Sequence, residues 1–319
     1  MSGVLLLRSA LTFTLTAGLV ACLGRHRRRG GSSGDVQSRV SPEEWALRCR
    51  LAAAYRLAAS CGWNEVIYNH ITARVPGSSD HFLINPFGLK FDEVTASSLI
   101  KVDLNGTVIE PGSTDLPFNL AGYVVHSAVH GKRPDLECIF HNHYTPCVAV
   151  SACKAGFLPV SQEACILMPR IAPAMHPFEG VATDPLEKAA IVSALGDKQV
   201  LFMENHGVLC AGRTVAEAFW NTFMLCRACD HQIAAMSAVG SNRPQRALYY
   251  ASDDQPHSPV ICKNDPTGGR IDELTLPPAS VVEQTAARVQ KAFEAHGNLD
   301  WGKWEFDALV RDLGPSYLE

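Results

Sequence analysis

Leu47, Leu51, Tyr55 and Ala58 recur at helical spacing just after Ser41-Pro42-Glu43-Glu44. Ser41 is placed to cap that helix, Pro42 suits its first position and Glu44 completes a capping box. The helix is expected to run to about Ser60 and to stop at Cys61-Gly62. The pattern then changes to short apolar runs between turn residues. Residues 66–75 and 82–86 read as strands separated by Pro76-Gly77-Ser78-Ser79, and residues 95–99 as a short helix or turn. Residues 100–109 read as a hairpin with Asn105-Gly106 at its tip. A helix is expected over 119–130, then a strand ending near His143, and later another ending at His206. Between them, 158–163 and 169–180 read as proline-rich loops, followed by a helix over 183–196. The longest helix is expected over 214–238, closing helices over 278–296 and 304–313, and a loop-rich excursion over 240–278. Several strands precede the first central helix without long helices between them. The pattern therefore predicts an α/β fold in α/β/α layers, with a largely antiparallel central sheet and helices on both faces.

Composition divides the 319 residues into an N-terminal targeting or linker segment (1–40), a main domain (41–240) and a C-terminal loop and helical extension (241–319). With 47% hydrophobic residues the chain can bury one large core. A net charge of −4 gives no long-range attraction to nucleic acid or acidic membranes. Eleven scattered cysteines suit reduced thiols better than a disulfide framework. Cys226 and Cys229 have redox-motif spacing, but in a helical stretch they merely share a face.

The first segment is apolar from Val4 to Gly24, broken by Arg8 and followed by Arg25-His26-Arg27-Arg28-Arg29, with no acid before Asp35. That pattern points to mitochondrial import; a cytoplasmic location and an N-terminal membrane anchor are the alternatives. The uncharged run from 9 to 24 is short for a membrane span. Residues 30–34 read as a flexible linker.

The chemistry centres on His141 and His143, two residues apart after an apolar run. On a strand both leave the same face and can aim at one point, though two surface histidines would look the same. His206, followed by Gly207, offers a third imidazole from another strand end. Three such ligands without a fourth make an open site for zinc or another divalent metal, with room for a small-molecule substrate.

Seven segments extend the pattern: Asn69-His70-Ile71-Thr72-Ala73-Arg74, Leu83-Ile84-Asn85-Pro86-Phe87-Gly88, His126 to His130 before Arg133-Pro134-Asp135, Phe140-His141-Asn142-His143, Ser161-Gln162-Glu163, Glu204-Asn205-His206-Gly207 and the run Gly212-Arg213-Thr214 to Phe219. Together, over roughly 45–240, they resemble the class II aldolase/adducin family. In its sugar-phosphate aldolases the histidines matching His141, His143 and His206 bind the metal. A Ser-Ser-Glu run there supplies hydroxyls for the substrate phosphate and the acid/base. Its places fall on Leu120, Ala121 and Gly122, which offer neither hydroxyls nor a proton-carrying group. The local sequence looks most like the short, stand-alone adducin-type members.

The resemblance implies a homo-oligomer, a tetramer, with sites between subunits; Tyr249, Tyr250 and Tyr317 are residues that would reach in. Glu163, His176, Glu179 and Glu204 are candidates to replace the missing acid, and Tyr144 to donate to an oxyanion. Asn69, Asn85 and Gly88 fit a substrate loop, or simply turns. His126 is expected to pack behind the ligands, and His130 to lie on the surface. The function implied is a metal-dependent lyase or isomerase acting on a small, sugar-phosphate-like hydroxy-carbonyl compound. The alternatives are a non-enzymatic adducin-like partner of actin and the cytoskeleton, or an inactive paralogue. Against actin, the sequence has no lysine-rich run of the adducin kind.

Overall fold

Ser41 Oγ accepts a hydrogen bond from the Glu44 amide at 3.2 Å, so the first long helix starts where its capping pattern says. The computed structural model describes residues 33–178, 185–238, 247–250, 259–262, 274–295 and 300–318. In chain order its elements are α1 (Ser33–Arg39), α2 (Pro42–Ser60), β1 (His70–Arg74), β2 (His81–Ile84), β3 (Ile100–Asp103) and β4 (Val108–Glu110). There follow α3 (Leu120–Lys132), β5 (Cys138–Asn142), α4 (Thr145–Ser151), α5 (Gln162–Leu167) and α6 (Pro185–Leu195). Then come β6 (Val200–Met203), β7 (Gly207–Gly212), α7 (Val215–Ala238), β8 (Ala247–Tyr250), β9 (Pro259–Cys262), α8 (Ala279–Ala295) and α9 (Lys303–Val310).

The central sheet has strand order β4-β3-β2-β1-β5-β7-β6, and every pairing between these strands is antiparallel. Alternation along the strands splits the apolar side chains between two cores. On one face Phe82, Ile139 and Leu209 pack with Val125 and Val129 of α3 and Ile191 of α6. On the other, Ile71, Phe140 and Cys210 pack with Leu51 of α2, Phe219 of α7 and Phe306 of α9. The layered α/β/α arrangement follows from this division.

Several local expectations change. The strand expected from residue 66 begins only at His70, because Val66 sits at φ 50 and the Tyr68 amide turns back onto the Glu65 carbonyl at 2.8 Å. A left-handed valine cannot continue a strand. The linker expected over 30–34 gives way to α1 at Ser33, and Arg39 pairs with Glu110 at 2.8 Å. Two short helices, α4 and α5, were not foreseen, and the excursion expected over 240–278 contains the β8–β9 hairpin. Cys226 and Cys229 are buried on α7, and burial raises both thiols well above their usual range. Among the described residues no helix is long and apolar enough to cross a membrane. Within the segment 1–40, the features behind the targeting and anchoring expectations, Val4 to Arg29, lie outside the described residues.

One buried hydroxyl ties α2 to the strand on which the site is built. Tyr55 Oη accepts from the Ile71 amide at 2.8 Å and lies 2.9 Å from Asn85 Oδ1, with the Ile71 carbonyl also in reach. Asn85, a candidate for binding substrate, is thus engaged in joining β1 and β2 to the helix. Replacing Tyr55 by Phe leaves the Ile71 amide and the Asn85 oxygen buried without this partner. The expected cost is about 1–3 kcal/mol in urea denaturation; an unchanged midpoint contradicts the assignment.

Candidate metal centre

Register decides which histidines meet. His70 on β1 is the direct partner of His141 on β5, which in turn pairs with Leu209 on β7. His143 follows the end of β5, and His206 closes the turn from β6 into β7. The rings of His141, His143 and His206 form a triangle with each pair of centroids 4.8 Å apart. One nitrogen from each ring lies within 4.8 Å of the other two, and the His141 and His143 Nε2 atoms are 2.9 Å apart.

The turns around the triangle are tight. Among the described non-glycine residues only Val66 and Asn205 have positive φ, and they stand beside Glu65 and His206. Asparagine tolerates that conformation, but for valine it is a strained one of the kind found near functional sites. A Cβ on Gly207 would meet His143 Cδ2 at 3.0 Å and the Asn142 carbonyl closer still, so glycine lets β7 pass the ligand strand.

These residues fit a divalent cation. A tetrahedral zinc with Zn–N of about 2.0–2.1 Å separates two ligand nitrogens by about 3.3 Å, near the 2.9 Å between the His141 and His143 Nε2 atoms, with the His206 nitrogen within 4.8 Å of both. Burial, with the neighbouring histidines, holds His141 well below the usual imidazole range; burial, then His143 and His176, pushes His206 down to about 4. Both are therefore neutral, the form that binds a metal. Glu65 Oε2 accepts from His143 Nδ1 at 2.6 Å, which leaves Nε2 as the ligand atom; carboxylate–histidine–metal arrangements share this pattern. Sequence reasoning missed Glu65, and its place in an irregular turn gave no periodic signal.

His70 was missed as well, although it lies in a quoted motif. Its ring stacks on His141 with centroids 4.9 Å apart and occupies the space beside Gly122. A Cβ on Gly122 would sit 2.8 Å from His70 Cγ and nearer still to Cδ2 and Nε2. The place counted as lacking an acid is filled by an imidazole from another strand.

Behind His70 runs a buried chain of hydrogen bonds. His70 Nδ1 is 2.7 Å from His126 Nε2, His126 Nδ1 is 2.5 Å from Thr72 Oγ1, and Thr72 Oγ1 is 2.8 Å from His130 Nε2. His126 thus lies behind the site, in contact with His70. His130, expected on the surface, is only 2% exposed, because α3 turns it onto Thr72 and the Phe82 ring.

Thr72 Oγ1 can accept from one ring and donate its single proton to the other, and with that buried proton used the chain has two self-consistent polarities. In one, His130 Nε2–H donates to Thr72, Thr72 to His126 and His126 to His70, leaving N–H at His70 Nε2. In the other every bond reverses, and His130 then keeps a proton on Nδ1, which is buried and has no partner. A buried orphan donor costs more than an unused acceptor lone pair. Partner logic therefore assigns a donor Nε2–H to His70, on its Gly122 side.

The other sequence candidates lie elsewhere. Tyr144 donates to Asp230 Oδ1 at 3.0 Å, and burial and that carboxylate push it up to about 12. Glu163 pairs with His231 at 3.4 Å. Glu204 lines a separate cleft of about 750 Å3 with Phe157 and Met175, which contains none of the three histidines. His176 is buried beside β6, its amide on the Phe202 carbonyl at 2.9 Å. Asn69 is buried with both amide atoms unpartnered, and Gly88 forms a turn against Leu116 at φ 122. Tyr317 packs partly buried on the core, the side chains of Tyr249 and Tyr250 are not described, and Glu179 lies outside the described residues.

With this geometry in place, comparison with known proteins decides the family. A profile of the class II aldolase and adducin N-terminal domain matches residues 49–233. The chain belongs to the class II aldolase/adducin family. It is 47% identical over 220 residues to a Caulobacter vibrioides protein provisionally named an aldolase class 2 protein, covering 69% of this chain and 84% of that one. It is 48% identical over 198 residues to mouse alpha-adducin, covering 62% of this chain but only 26% of the adducin. The crystal structure of an aldolase II superfamily protein from Pseudomonas syringae superposes with a TM-score of 0.73 at 40% identity, over 89% of this chain and 99% of that one.

Two outcomes follow for this family member. Gly122→Ala should displace His70 and cost about 1–3 kcal/mol in urea denaturation. In a His70→Ala background the same change should cost much less; additive effects would show that the two residues do not meet. Stability should also depend on pH. Burial and neighbouring histidines hold His70 and His126 well below the usual range, and burial, then Arg74, lowers His130 to about 3. The unfolded chain takes up these protons near its ordinary value of 6.5 and the native state does not. The stabilisation is complete above that pH and is lost as the pH falls below it, toward about 3 for His130, by about 1.4 kcal/mol per pH unit for each group that the unfolded chain alone protonates. A urea midpoint that stays flat as the pH falls below this value would contradict it.

Proposed function

We propose that this protein is a divalent-metal-dependent enzyme, with zinc as the ion, that acts as a lyase or isomerase on a small hydroxy-carbonyl compound. In this reading Gly122 replaces the glutamate of the aldolases and His70 takes over its place. The observation that carries the reading is the convergence of His141, His143 and His206 with a carboxylate behind one of them. An ion held there supplies Lewis acidity toward a carbonyl oxygen. His70 offers a hydrogen bond from Nε2 to an oxygen of the substrate. His126, Thr72 and His130 fix its tautomer and its direction. The identity with alpha-adducin supports a second reading, a non-catalytic interaction module; it takes over if the purified chain carries no metal.

Elemental analysis of the purified full chain should give about one divalent ion per chain, and His206→Ala should abolish it. Glu65→Ala should weaken metal affinity by about 10–100-fold in competition with a chelator. Absence of stoichiometric metal in the wild-type protein sinks the enzyme reading.

A further inference from the structure

The cleft over the three histidines has a volume of about 310 Å3, suited to a small organic molecule. Its lining is part imidazole, from His70, His141, His143 and His206, and part apolar, from Ala121, Gly122, Val125 and Phe178. No lysine or arginine lines it among the described residues, and residues 179–184, which follow Phe178, contain none. Glu65, the one carboxylate in the lining among the described residues, is engaged by His143.

A helix N-terminus often receives a phosphate through its free amides. At the start of α3 that place is already taken: Asn119 Oδ1 accepts from the Ala121 and Gly122 amides at 3.1 and 3.4 Å. The residues around the mouth are apolar instead. Phe178 is 56% exposed and Tyr68 53%, and both line the cleft. Leu120, between the lining residues Asn119 and Ala121, is 66% exposed.

We propose that the substrate of this site is a non-phosphorylated hydroxy-carbonyl compound whose apolar substituent lies against Tyr68 and Phe178. The proposal rests on the metal-centre reading and deepens it by naming the substrate class. A phosphate dianion entering this cleft would give up water for a lining that, among the described residues, offers it no cationic side chain and sets Glu65 nearby. An aryl or branched alkyl group would gain by covering rings that otherwise face water.

The test uses two hydroxamates with the same chelating head, phenylacetohydroxamate and phosphoglycolohydroxamate, titrated calorimetrically into the metal-loaded full chain. The phenyl compound should bind at least about tenfold more tightly, and Phe178→Ala should weaken it several-fold without changing metal content. Equal or tighter binding of the phosphorylated compound overturns the proposal, as does failure of the phenyl compound to bind protein that holds its metal. If Phe178→Ala leaves affinity unchanged but reduces the assembly size in sedimentation, the rim is a contact between copies and the proposal falls. A chain without metal sinks the underlying reading itself, and metal analysis of the same sample tells the two failures apart.

Discussion

The contact between His70 and the bare Cα of Gly122 is the constraint on which the site depends. Any side chain on α3 at this point would occupy the volume of the imidazole. Because glycine leaves it free, the ring lies flat on His141 and its Nδ1 reaches His126. Helix and strand are thereby drawn together at one point, with Thr72 and His130 filling the space behind. Glycine inside a helix carries a cost of about 1 kcal/mol in propensity. Here that cost is offset by a buried hydrogen-bonded chain that no larger residue would permit.

The same chain bears on electrostatics. Five histidines (70, 126, 130, 141 and 206) are held below their ordinary protonation range, chiefly by burial. Burying that many imidazoles is tolerable only if they stay neutral. Neutrality makes His141 and His206 usable as ligands and lets His70 act as a directional hydrogen-bonding group. Fold stability and metal affinity are thus linked to the same protons, and both fall as the medium becomes acidic.

The sheet, its antiparallel order and the two helical layers could be read from alternation and spacing, because each depends on residues near in sequence. The three converging histidines were legible for a related reason: His141 and His143 are two apart after an apolar run, and His206 carries the Gly207 signature. Glu65 and His70 were not legible. Glu65 reaches His143 from a turn shaped by a left-handed valine, which no propensity scale favours. The position of His70 depends on a missing Cβ 52 residues further along the chain and on the β1–β5 register. Counting along α3 finds a glycine at position 122; only the packed sheet shows that the His70 ring lies against it. His130 was misplaced for the same reason, since its partners Thr72 and Phe82 lie on other elements.

In the proposed reading, a functional group borne by β1 instead of α3 has a geometric consequence. A glutamate on a helix turn reaches its target through a flexible side chain, and ordering those torsions costs entropy. His70 has two side-chain torsions and is held on two sides, by the His141 ring and by His126. Held in this way, it suits a fixed hydrogen-bond donor better than a mobile proton carrier. In the same reading the start of α3 carries no catalytic group, and exposed Leu120 stands beside the lining residue Ala121 at the mouth of the cleft.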